Sequence, residues 1–146
     1  MPQLTRADLK SIALKTVDAW QRHDIGTLLA LHTSDAVVES PMYGTRRGLA
    51  EIEESYRALF KSFPDMTFSN EGILIDPPQV AIFIKVGGTH MDDFFGLPGT
   101  NRHFDMLTVT WVQVDENGLI THERRVYDFT GVLLQVGVLR AKPAKP

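Results

Sequence analysis

The 146-residue chain contains no cysteine. Disulfides, thiolate nucleophiles and cysteine-based zinc sites are therefore excluded. A metal site is not expected, because His23, His32, His90, His103 and His122 show no HExxH or paired spacing that brings two ligands together. Glycine-rich phosphate loops of the GxGxxG or P-loop type are missing, and so is a GxSxG elbow. Nucleotide binding and serine-hydrolase chemistry lose their usual signatures with them. No apolar run approaches the roughly 20 residues that span a bilayer. Residues 1–8 lack a basic segment followed by an apolar one, so no secretory leader is expected. Fifteen Lys and Arg stand against eighteen Asp and Glu, a net charge of -3. That balance offers no electrostatic reason to expect nucleic acid or an anionic membrane as partner. A cytoplasmic location fits these absences.

What is present is an ordinary globular composition, 43% hydrophobic and 23% charged, long enough for one real core. The expected organisation is one domain over 1–140 and a proline-broken, flexible tail over 141–146. Leu9, Ile12, Ala13, Thr16, Val17 and Trp20 recur at helical spacing, with Thr5 and Asp8 forming an N-terminal cap. Asp24 can cap a second short helix over 27–32. A strand follows at 36–40, then a loop over 41–48. A third helix carries Leu49, Ile52, Tyr56, Leu59, Phe60 and Phe63 on one face and ends at Pro64 and Asp65. The remainder reads as strands over 66–75, 80–91, 102–115 and 119–129, with a tight reversal at Asn117 and Gly118. Residues 131–139 are apolar nearly all round and need a cover, such as a second subunit. Helices first and an antiparallel meander afterwards define an α+β domain. A long curved sheet wrapped on helices encloses a concavity.

Two ionisable residues continue the inward parity of apolar strands. His90 extends the series Val80, Ile82, Ile84 and Val86, and Asp128 shares parity with Ile120 and Val126. An imidazole and a carboxylate aimed into an apolar interior are costly unless paired, which makes them functional candidates. The blander alternative is a hydrogen-bonded core pair or two rim residues. A single bulge reverses either assignment, and Gly87 with Gly88 is a plausible place for one. Trp20, Tyr43, Tyr56, Phe94, Phe95, Met106 and Trp111 suggest a pocket wall, about half of it core filler. Phe94 and Phe95 lie on the connection best placed to act as a lid. Asp105 is either a second cavity acid or a rim charge.

Several segments carry a family resemblance. The 48–65 segment resembles an "RG…FxxxFPD" helix. Gly88-Thr89-His90 with 95–100 resembles "GTHxGxFxGxPxTG", and Tyr127-Asp128 with 131–137 resembles "WDxxGLLxQLG". Together they are similar to the SnoaL-like polyketide cyclases of the NTF2-like superfamily. The resemblance implies an NTF2-like (cystatin-like) cone, N-terminal helices packed on a strongly curved, mostly antiparallel sheet around a pocket. It implies a small-molecule partner, a homodimer and an aldol-type ring closure or isomerisation without cofactor. Position by position, the general acid/base falls on Asp128, and a pocket histidine on His90. The family commonly has an aromatic four residues before the acid, where this chain has Arg124. Facing inward, Arg124 would bind an anionic or carbonyl group; at the wet mouth it would reach solvent. The same cone can hold a ligand without turnover. A limonene-type epoxide hydrolase needs an Asp-Arg-Asp set, and its closing-strand acid would fall on Arg125. That mismatch argues against it.

Overall fold

The computed structural model describes residues 3–140 and 142. The expected tail over 141–146 lies outside the described residues, apart from exposed Lys142. Helix α1 (Arg6–Gln21) starts with a capping box: Asp8 N donates to Thr5 Oγ1, and Thr5 N donates to the Asp8 carboxylate. Its buried face carries Leu9, Ala13, Thr16, Val17 and Trp20, the stripe legible in the sequence. Asp24 caps α2 (Ile25–Ala30) through the amide and hydroxyl of Thr27. Strands β1 (His32–Ser40) and β2 (Gly44–Arg47) pair as a hairpin, so half of the expected 41–48 loop is a strand. Helix α3 (Leu49–Ser62) follows, then β3 (Thr67–Asp76), β4 (Gln79–Thr89), β5 (His103–Val114), β6 (Ile120–Val126) and α4 (Phe129–Gln135).

The six strands form one mixed, curved, unclosed sheet in the order β2-β1-β6-β5-β4-β3. Neighbours are antiparallel except β1 and β6, which run parallel and join the two halves of the chain. Helices α1 to α3 cover the concave face. Val80, Ile82, Ile84 and Val86 of β4 and Phe104, Val112 and Val114 of β5 meet them there.

The bulge lies elsewhere than Gly87 and Gly88 suggested. Strand β4 pairs with β5 without interruption from Gln79 to Thr89. The two glycines serve close approach instead. A side chain at Gly88 would press on Phe104 and Met66, and one at Gly87 on Asp105. The register breaks in β6, where Val114 faces Ile120 and Gln113 faces His122, leaving Thr121 extra. One inserted residue reverses side-chain parity beyond it. Ile120 points inward; after the bulge Glu123 and Arg125 point inward, while Arg124 and Val126 are exposed.

Candidate functional site

The bulge decides what lines the hollow. Beneath α1 and α3 lies a cavity with about 50 Å³ of free volume. Its wall is mainly apolar, built from Trp20, Phe68, Phe104, Ile84, Val86 and the three methionines Met42, Met66 and Met106. The polar contributions come from Tyr43, Thr108, Thr110, Arg125 and Tyr127. That free volume holds a few waters. A pocket of the usual ligand size, roughly 300 Å³ or more, requires the long methionine side chains or the Tyr43–Phe95 contact to shift. The Tyr43 and Phe95 rings sit 5.5 Å apart, with Phe95 largely exposed.

Arg125 is the one charged residue on that wall among the described residues. Its Nε donates to Glu123 Oε2 at 2.5 Å, and an Nη donates to the Tyr56 hydroxyl at 3.4 Å. Its guanidinium also lies 4.8 Å from the Trp20 ring centre and 5.5 Å from that of Tyr56. Glu123 is fully buried and meets His32 through its other oxygen. Burial alone would raise its carboxyl pKa. The charge of Arg125, with the bonds from His32 and Arg125, overrides that and holds it well below the usual carboxylate range.

Two hydroxyls on the wall have no partner. Tyr43 Oη and Thr108 Oγ1 are both buried and unbonded among the described residues. Burial pushes the Tyr43 and Tyr127 phenols above their ordinary value, so both stay protonated through the neutral range. Tyr127 has a protein partner: its oxygen accepts from Met42 N at 3.3 Å.

The residues singled out in the sequence divide. Trp20, Tyr43 and Met106 line the cavity. Tyr56 lies behind it, fully buried, and reaches it through Arg125. Phe94 is buried among Phe63, His90 and Phe129 rather than on the wall. His90 is fully buried, as parity predicts, but in that aromatic cluster. Its Nδ1 meets Thr100 Oγ1 at 3.2 Å, and its Nε2 has no partner among the described residues. Asp105 is exposed on the outer face beside His103. Arg124 takes the solvent side, paired with Glu39 at 2.7 Å and stacked toward Trp111, itself on the outer face.

Asp128 requires the largest correction. Its carboxylate does not face inward. The strand ends at Val126, and exposed Asp128 caps α4 by accepting from Gly131 N at 2.9 Å. The Thr121 bulge removes the parity that tied Asp128 to Ile120. The apolar 131–139 segment is also covered differently from expected. Val132 and Val136 are buried within the chain's own core, while Leu134 and Leu139 are exposed. Sequence reasoning missed Arg125, Glu123 and Thr108. Inward-facing charge at alternate positions 123 and 125 was the available signal, readable only with the bulge placed.

The model of the SnoaL-like polyketide cyclase family matches residues 10–136. The chain belongs to this family. A comparison with curated protein sequences finds no match. Among solved structures, IdmH from Streptomyces antibioticus, described as a candidate polyketide cyclase, is 27% identical with a TM-score of 0.76. That alignment covers 88% of this chain and 98% of IdmH. AclR from Streptomyces galilaeus, described as a candidate hydroxylase, is 24% identical with a TM-score of 0.81, over 95% of this chain and 87% of AclR. A SnoaL-like protein from Jannaschia sp. CCS1 is 16% identical with a TM-score of 0.83, over 96% and 100% of the two chains. The likeness to AclR and to the Jannaschia protein is one of fold, and that fold is the NTF2-like cone.

Proposed function

We propose that the cavity binds a small, mostly apolar carbonyl compound and that the protein turns it over without a cofactor, by aldol-type ring closure or isomerisation. The observation that carries this reading is the pair of partnerless hydroxyls, Tyr43 Oη and Thr108 Oγ1, on the same apolar wall as Arg125. Both hydroxyls border a cavity with room for a few waters, which an oxygen on a bound molecule can replace as their partner. Tyr43, Thr108 and Arg125 form the electrophilic half of such a reaction, donating to a carbonyl oxygen as negative charge grows on it. By family resemblance the basic half falls to Asp128 and a pocket histidine to His90; neither touches the wall. The lining itself carries no carboxylate and no imidazole, which favours a second reading, ligand binding without turnover.

Replacing Asp128 by Asn separates the two, because Asn still caps α4. Any small molecule that co-purifies is identified first by native mass spectrometry, and its turnover is then compared in wild type, Asp128→Asn and Tyr43→Phe. Acid/base catalysis predicts that Asp128→Asn loses turnover and keeps affinity. Unchanged turnover removes Asp128 from the mechanism. Tyr43→Phe should weaken ligand affinity about 5- to 100-fold, the worth of one buried hydrogen bond; unchanged affinity removes the cavity from the proposal.

We also propose a homodimer. Leu74, Leu107 and Val126 are exposed on strands of the open sheet, an apolar surface suited to a second copy.

A further inference from the structure

His32 opens β1 and is buried. Its Nδ1 lies 2.7 Å from the carbonyl oxygen of Leu28 in α2, an atom that only accepts. Its Nε2 lies 3.2 Å from Glu123 Oε1 on β6. The other Glu123 oxygen accepts from Arg125, whose guanidinium keeps the carboxylate ionised. An ionised carboxylate also only accepts. Both nitrogens of His32 therefore face acceptors, and the ring fixes Glu123 between α2 and β1 on one side while Arg125 holds it on the other. The Trp20 and Tyr56 ring faces ease the guanidinium but carry no counter-charge. Arg125 Nη1 makes no hydrogen bond among the described residues, and the wall beside it holds no acid. The cavity wall therefore offers a guanidinium with an unused Nη1, together with the Tyr43 and Thr108 hydroxyls, and no carboxylate competes there for a negatively charged oxygen.

We propose that the cavity selects ligands ionised at one oxygen, such as an enolate, a phenolate or a small carboxylate on an apolar body, and that Arg125 receives that oxygen. Glu123 and His32 are positioning residues that hold the guanidinium in place. This rests on the reading of the cavity as the ligand site.

The test uses 4-nitrophenol and its uncharged relative 4-nitroanisole on the full chain, at a pH where free 4-nitrophenol is mostly protonated. The expected result is that bound 4-nitrophenol shows the yellow phenolate band and binds at least about tenfold tighter than 4-nitroanisole, equivalent to one pKa unit of preference. Equal binding of both, with no phenolate band, overturns the anion preference and leaves the cavity reading standing. Binding of neither overturns both. The double variant Glu123→Gln with Arg125→Gln removes a buried pair of opposite charges together. Its circular dichroism establishes whether it folds, and the folded variant should lose the phenolate band; a retained band overturns the role of Arg125. Should it not fold, the two-probe comparison on wild type decides alone.

Discussion

At the scale of single residues, Glu123 is the most consequential buried group. It is fully buried between Arg125 and His32, and its carboxyl is held below the ordinary value. A carboxylate whose folded pKa is depressed contributes stability that is present above its unfolded pKa. That stability is lost as pH falls through the folded value. Chemical denaturation should therefore show Glu123→Gln destabilised by about 3–5 kcal/mol at neutral pH, because Arg125 is left as an uncompensated buried charge. The gap between wild type and variant should narrow as pH drops below the usual glutamate range. A gap independent of pH would mean that the carboxylate is not ionised in the fold. Asp128 makes the opposite point. In sequence it looks like the end of an inward strand face; in three dimensions it is an exposed helix cap.

At the scale of elements, what was legible is what local chemistry dictates. The stripe of α1 and the apolar face of α3 follow from side-chain spacing, and the caps of α1 and α2 from Thr5 and Asp24. Strand β4 follows from unbroken alternation, and His90 is buried as that parity requires. The failure lies in β6, where one extra residue at Thr121 changes which side chains face inward. A bulge is a property of a strand pair, and the alternation of one strand does not reveal it. Deleting Thr121 should force Glu123, Arg125 and Tyr127 outward or unpair β6 from β1. We expect loss of the cooperative thermal transition seen by circular dichroism. A variant that melts like wild type would show that the bulge can be ironed out elsewhere in the sheet.

At the scale of the whole molecule, the sheet is open and its outer surface carries Leu107 on β5 and Val126 on β6. If a second copy covers this surface, wild type sediments as a dimer at micromolar concentration and Leu107→Lys shifts it toward monomer with its melting otherwise intact. A monomeric wild type would refute the dimer. No helix of the described residues is long and apolar enough to cross a membrane. The sequence by itself determined the α+β class, the helices, the long strands and the absence of cysteine chemistry. Each of these follows from composition or from periodicity within one segment. Only the tertiary structure decided which charges share a cavity. His32 and Glu123 lie 91 positions apart, and the parallel pairing of β1 with β6 brings their strands side by side. That pairing, together with a one-residue bulge, turned Arg125 inward and Arg124 outward. Neither the pairing nor the bulge leaves a mark in the spacing of nearby residues, since both are settled by how distant strands meet.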